Sequence, residues 1–507
     1  MTVEANSMPP IHQRRFRMGR SAGLAGEMAG GFMMRPAPPA PGCAAQNQPE
    51  WNGWAGRVGR TMADATAAAK RGRGLRLTFS AEEKRRLRHA GELVSMGAMN
   101  GSPPGRQRQG TILWAKSGTP GGGGLPARFL PVALLLTILS AAPAGAEEVQ
   151  VRDEAGLRAA LAAARPGTRI LLAEGSYRGG ISFSNLRGQA GRPIVIASRD
   201  PQRPAVFRDG KTGLHLANPA HVELHDLEFT ALSANGLNLD DGGQREQAGA
   251  HHVVLRRLRV HDTGRGGNED GIKLSGLTDF RVEDCVVERW GDRGSGIDMV
   301  GCHRGAIIGN VFRHTAPPGA NAVQCKGGSS SIVVGGNRFL EAGGRGVNIG
   351  GSTGLQFFRP PLAGAGPHAE ARDIRVEGNT FVGGIAPVAL VGVDGAVVRF
   401  NTIEKPGRWA IRILQENRAP GFVACRGGEF SDNVVVFDSN RWAEGGVNVG
   451  AGTEPATFRF ARNWWYCADQ PQRSQPRLPV AEAEGVYGRD PAAATGIAGA
   501  TAWPARR

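Results

Sequence analysis

Two lysines stand out in an arginine-rich chain. Residues 147–507 hold 42 Lys+Arg, and only Lys211, Lys273, Lys326 and Lys405 of these are lysines. Arginine stays protonated, whereas a lysine in a suitable site can lose its proton and act as a base. Lys273 sits in the phrase Gly271-Ile-Lys-Leu, and Asp298 fills the same slot in the next phrase, Gly296-Ile-Asp-Met. Lys326 follows closely on a third, Ala322-Val-Gln-Cys. Such a set suits removal of a proton from the carbon beside a carboxylate. That chemistry needs a cation to neutralise the carboxylate, a base, and an acid for the leaving oxygen.

The phrases recur. Aligned on their opening small residue they are Gly213-Leu-His-Leu, Gly236-Leu-Asn-Leu, Gly271-Ile-Lys-Leu, Gly296-Ile-Asp-Met, Ala322-Val-Gln-Cys and Gly346-Val-Asn-Ile. Their spacings are 23, 35, 25, 26 and 24 residues, and the long interval contains a polar insertion at 241–252. Each unit has a second strand-like phrase in which an Asx precedes an apolar residue, as in VEDCVV, IIGNVF and VRFNTI. Strict alternation marks a half-buried strand, and Gly and Asn suit the left-handed turns between strands. The period is too short for a strand–helix–strand unit. Stacked unit on unit, the strands give parallel sheets around one apolar interior. The Ala-rich stretch 153–167 predicts a helix that covers the open N-terminal end. The expected class is all-β: a right-handed parallel β-helix solenoid with an N-terminal helical cap, its hand set by the crossover preference of parallel strands.

In that stack the apolar pair of each phrase points inward and the residue between them points out. His215, Asn238, Lys273, Asp298, Gln324 and Asn348 then form one row, with neighbours about 4.8 Å apart. Asp240, Ser275, Val300, Lys326 and Gly350 form a second. A polar outer face is ordinary in itself. The long loops 241–252 and 351–373 (the latter with Phe357, Phe358 and Arg359) favour a walled groove, although those aromatics would equally suit covering the core edge. The candidate catalytic residues are Lys326 as base with Lys273, Asp298 and Arg412; Asn238, Gln324, Arg345 and Asn348 are candidate substrate ligands. Asp240, Glu269 and Asp270 are candidate metal ligands, and their oxygens suit calcium. His221, His225, His251, His252 and His303 are read as structural, since i and i+4 on a strand lie too far apart to chelate.

Glycine, at 76 of 507 residues, is about twice the usual share, and aromatics make up only 6%, as many tight turns between short strands require. The net charge of +16 is uneven: residues 1–146 hold 19 Lys+Arg against 7 Asp+Glu, the remainder 42 against 38. The near balance of the second part argues against nucleic acid as its partner. Within 125–146, Arg128, the apolar run Phe129–Leu139 and Ala144-Gly145-Ala146 read as a signal peptide with its cleavage site. The expected organisation is a disordered or wrongly included extension over 1–124, the signal peptide over 125–146, the β-helix over 147–465 and an irregular tail over 466–507. A secreted, periplasmic or extracellular monomer follows, without stable membrane insertion after cleavage. Five cysteines remain beyond residue 146, an odd number without C-x-x-C spacing. That argues against a zinc site and a dense disulfide framework, and leaves open one Cys425–Cys467 bridge.

Residues 147 to about 465 resemble the right-handed parallel β-helix proteins that include pectate lyases, polygalacturonases, and alginate and chondroitin B lyases. The opening EEVQVRDEAGLRAALAAARPGTRILLAEGSYRGGISFSNLRGQAGRPIVIASRD is especially similar to the start of the alginate/chondroitin B lyase family. NAVQCKGGSSSIVVGGNRF resembles the phrase that carries that family's base, which implies this role for Lys326. The family's Arg, ten residues after the Phe, would fall at Ile349, and Asn321 and Gln324 stand where its acidic calcium ligands are expected. The resemblance implies a polysaccharide lyase-like enzyme acting on an acidic, uronate-containing polysaccharide by β-elimination. The alternatives are a non-catalytic carbohydrate-binding or cell-surface β-helix, and a hydrolase of polygalacturonase type. NEDGI (268–272) is similar to a polygalacturonase phrase, and Asp240 and Asp298, two units apart, would be the hydrolase's carboxylates.

Overall fold

Leu237 and Leu239, Ile272 and Leu274, Ile297 and Met299, Val323 and Cys325, and Val347 and Ile349 are all fully buried. Their alternation with outward residues sets the strands, which stack in register: Leu237 pairs with Ile272, Ile272 with Ile297, Ile297 with Val323 and Val323 with Val347. The computed structural model describes residues 147–245, 249–315, 320–442 and 444–493; the expected extension 1–124 and signal-like run 125–146 lie outside them. The chain winds as a right-handed parallel β-helix with three sheets of 12, 10 and 12 strands. The ten-stranded sheet runs from Ile181–Ser184 to Val447–Val449 and carries the polar rows.

Helix α1 (Glu154–Ala163) closes the N-terminal end and buries Leu157, Ala160 and Leu161. Asp153 caps it by accepting the Gly156 N–H at 2.7 Å. At the other end the stack continues past residue 465: Trp464–Cys467 forms a strand, and Val486–Tyr487 pairs with it. The region expected to be an irregular tail thus adds one strand, Val486–Tyr487, in which Tyr487 packs half-buried against the end of the core. Cys285, Cys302, Cys325, Cys425 and Cys467 are buried and unbridged, so the Cys425–Cys467 pair does not form. No helix among the described residues is long and apolar enough to cross a membrane.

Asparagine takes the expected turn role at Asn185 and Asn218, with φ of 60° and 55°, but the recurring asparagine of the second phrase does not. Left-handed backbone falls on the preceding residue, as at Phe400, Asp432 and Arg462, with φ of 58°, 55° and 53°. The asparagines themselves turn inward. Asn310, Asn337, Asn379, Asn401, Asn433 and Asn463 are at most 1% exposed, and each of the first five donates Nδ2 to the next one's Oδ1 at 2.9–3.0 Å. Each amide also bonds backbone groups, so a buried polar file is satisfied throughout. Beside it Phe312, Phe339 and Phe381 stack at 4.9 and 4.5 Å.

Candidate functional site

Register confirms the first row in full and the second from Asp240 as far as Lys326, with Gly350 outside the residues that pair its strand with that of Lys326. His215, Asn238, Lys273, Asp298, Gln324 and Asn348 are consecutive partners. Asp240, Ser275, Val300 and Lys326 follow one another in the second row. What the rows do not share is exposure. Asp298, Gln324 and Asn348 are 2%, 9% and 1% exposed, although they point away from the core. His215, Asn238, Lys273 and Lys326 remain open and line a cleft of about 790 Å³.

The two long loops build the cleft wall. Arg359 in the second loop donates Nε and Nη2 to Asp241 in the first, at 2.5 and 3.2 Å. Glu370, fully buried, anchors the second loop by accepting from Thr353 N and Oγ1, Asn417 Nδ2 and Gly327 N, at 2.7–3.0 Å. Gly327 follows Lys326 with φ +66°, and a Cβ there would meet Val300 Cγ1 at 2.7 Å. The turn that presents Lys326 therefore needs glycine. Phe357 is 54% exposed on the cleft and Phe358 is 1% exposed, so one aromatic is wall and the other is packing. Asp241 and Glu370 carried no sequence signal, because their role depends on contacts between distant loops.

At the centre, ammonium groups stand in front of carboxylates. Lys273 Nζ contacts Asp298 Oδ2 directly and lies 3.2 Å from Asp270 Oδ2. Lys326 Nζ is held more loosely. It lies 3.4 Å from Gln324 Oε1, and its 3.2 Å approach to Asp298 Oδ1 lacks the alignment of a hydrogen bond. That buried oxygen has no hydrogen-bond donor among the described residues. Burial opposes the charge on Lys273, but the Asp298 and Asp270 carboxylates outweigh it and hold the ammonium above the usual lysine range. Burial first, and then the charge of Asp298, push Asp270 up to about 7. Further along, His215 Nε2 meets Asp240 Oδ2 at 2.7 Å, and this bond raises the imidazole's pKa against the effect of burial. Burial also opposes the charge on Asp240, but the bonds from His215 and Gly242 hold it below the usual carboxylate range.

Several expected groupings do not form. Asp240, Glu269 and Asp270 do not converge: Asp240 is taken by His215, Asp270 by Lys273, and Glu269 packs over the turn at Gly264 and Gly267. A calcium ion there would face the lysine ammoniums, so these residues do not fit it. Asp298 is enclosed by both lysines and has no open side from which to serve a hydrolase. Arg412 lies four strands along the row from Asp298, about 19 Å at strand spacing. It bonds Asn448 and stacks on Trp409 there. Arg345 bonds Asn348 and Glu416, and Asn348 turns its amide to Gly350 O. Gln324 and Asn348 act as supports beneath the loops; Asn238 alone of the four candidate substrate ligands lines the cleft.

Fold and site together define a right-handed parallel β-helix protein with a lysine-fronted cleft on its ten-stranded sheet. No protein-family model matches the chain, and no curated protein is significantly similar to it. Solved structures do resemble it. An alginate lyase from Paenibacillus sp. strain FPU-7 is 17% identical over 62% of this chain and 99% of its own, with a TM-score of 0.40. The GH136 lacto-N-biosidase from Eubacterium ramulus is 14% identical, covers 67% and 68%, and also scores 0.40. The mannuronan C-5 epimerase A-module of Azotobacter vinelandii is 14% identical, covers 66% and 91%, and scores 0.38. Likeness at this level says nothing of chemistry, so the cleft's own residues have to carry the function.

Proposed function

We propose that the cleft binds an acidic, uronate-containing polysaccharide and cleaves it by β-elimination. The observation that carries this reading is the layering of charge. The Lys273 and Lys326 side chains are 27% and 23% exposed to the cleft, while Asp298 behind them is 2% exposed. An anionic sugar therefore meets ammonium groups first, in a partly desolvated site where they act strongly.

The two lysines differ in a way that divides the work. Lys273 is locked between two carboxylates and stays charged, which suits it to neutralise the uronate carboxylate. Lys326, loosely held, is the amine able to reach the sugar. Its unprotonated form takes the proton from the carbon beside the carboxylate. The electron pair left there becomes a carbon–carbon double bond as the glycosidic C–O bond breaks. The Lys326 ammonium then returns its proton to the departing oxygen, so the step balances without a second acid. This fits Ile349, which stands in the core where the resemblance would place an arginine. Phe357 offers an apolar face to a sugar ring.

The test is to incubate the protein with alginate, pectate and glycosaminoglycans, with and without calcium, and follow the ultraviolet absorbance of unsaturated uronates. Absorbance without a calcium requirement is expected, and Lys326→Ala should abolish it while leaving the circular dichroism spectrum unchanged. Reducing ends without absorbance would make the protein a hydrolase, and binding without cleavage a carbohydrate-binding module. Either outcome overturns the proposal, as does full turnover by the variant.

A further inference from the structure

The first twelve-stranded sheet carries a cluster that the lysine cleft does not use. Strand Ala220–His225 lies beside strand Ala250–Arg256, with Ala220 opposite His251 and Val222 opposite Val253. This register sets His221 next to His251 and His252, thirty and thirty-one residues further along the chain. One ring nitrogen from each of the three lies within 4.8 Å of the other two. Read along a single strand, these histidines looked too far apart to chelate. Across neighbouring strands they are adjacent.

The backbone holds them there. His221 and His252 adopt φ of 50° and 53°, left-handed conformations rarely taken by residues other than Gly, Asn, Asp and His. Their rings stack at 4.5 Å, and His251 meets both edge-on, at 5.2 and 5.0 Å. His251 Nδ1 and His252 Nδ1 face each other at 2.9 Å. A proton shared between them makes an N–H···N bond; a cation in that place would be held by two lone pairs. Tetrahedral zinc with Zn–N bonds of about 2.05 Å sets its nitrogens roughly 3.3 Å apart, so the stacked rings of His221 and His252 must turn for their lone pairs to converge. The neutral imidazole is the form that ligates metal. The nearby carboxylate of Asp279 is paired with Arg304.

We propose that His221, His251 and His252 form a binding site for a divalent transition metal, with zinc the best match to three imidazoles. Three protein ligands leave the fourth tetrahedral position for water or an exogenous donor. The site lies on a different sheet from the lysines, so it stands or falls independently of the cleft's chemistry.

The test uses the full chain and Zn²⁺ alone, in competition with a chromophoric chelator, together with Co²⁺ as a spectroscopic probe. Expected are one strongly bound Zn²⁺ per chain that depends on these histidines, an upward shift in melting temperature with Zn²⁺, and the visible absorption of tetrahedral Co²⁺. The variants are His221→Asn and His252→Asn, since asparagine tolerates the left-handed backbone and Asp279 holds the equivalent place one strand on with φ of 56°. Each should weaken Zn²⁺ binding at least about tenfold, because one of three ligands is gone. His303→Asn, outside the cluster, should leave it unchanged. Should a variant misfold, the wild-type cobalt spectrum still decides the matter. An octahedral or absent cobalt band, or Zn²⁺ binding undiminished in a folded double variant, would overturn the proposal.

Discussion

Replacing Asp298 with asparagine tests the charge layering directly. Asp298→Asn keeps the shape and removes the one negative charge shared by Lys273 and Lys326. Removing one partner of a buried ion pair costs about 3–5 kcal/mol. Both lysines keep about a quarter of their side chains in water, which screens the loss and places the expected cost near 3 kcal/mol at pH 5. The dependence on pH is the sharper part. Asp270 is raised to about 7, partly by Asp298, so its folded pKa exceeds its unfolded one. Between about pH 4 and 7 the folded protein holds a proton that the unfolded chain lacks, and the wild type loses stability as pH rises through that window. Without the charge of Asp298 that elevation shrinks, and so does the loss. The variant's deficit should therefore be largest near pH 5 and narrow towards pH 8, by about 1.4 kcal/mol for each pKa unit removed from Asp270. Urea-unfolding midpoints followed by tryptophan fluorescence at pH 5, 6, 7 and 8 measure it. A deficit independent of pH, or none at pH 5, would refute the reasoning.

Two further outcomes follow from other parts of the stack. Asn379→Ala removes an amide that bonds Val334 O, Asn401 Oδ1 and two groups of Asn337, all buried. Leaving those partners unsatisfied should cost about 3 kcal/mol in thermal or urea unfolding, and a loss below about 1 kcal/mol would contradict the role given to the file. Asp240→Asn should lower the His215 pKa, as read by NMR titration of its ring protons. In the wild type the stabilisation from this pair is present below the unfolded histidine pKa and fades as pH rises through the raised folded value. An unmoved titration would show that Asp240 is not what raises it.

Much of the architecture was legible because the apolar pairs repeat with near-constant spacing, which fixes both the stack and its register. The rows of His215 to Asn348 and Asp240 to Lys326 follow from that spacing alone. Their exposure does not. Asp298 is covered by the lysines of neighbouring strands, Asn348 by Arg345, and Gln324 lies under Gly351 at the start of the second loop, and a local pattern carries no record of such neighbours. The same limit explains the carboxylates. Sequence shows Asp240 and Asp270 near turns, but which cation meets each depends on the neighbouring strand. It explains His221, whose partners lie on the next strand rather than four residues away. The recurring asparagines depart from the turn role for another reason: the turn and the inward amide are adjacent residues, and only one of them needs left-handed backbone.

The file of asparagines has a direction. Every side-chain amide from Asn310 to Asn463 passes one N–H towards the C-terminal end and offers its oxygen towards the N-terminal end, its second N–H bonding a backbone carbonyl of the preceding coil. Dipoles aligned head to tail add, as peptide dipoles do along an α-helix. The file is therefore electrically polar along the axis of the solenoid. Its positive pole emerges at Asn463, and there Glu482 Oε1 accepts both Asn463 Nδ2 and the Asn463 N–H, at 2.7 and 3.1 Å. At the opposite pole Asn310 Oδ1 takes the N–H of Cys285, with no charge required. A carboxylate ends the file as an acidic residue complements the positive end of a helix.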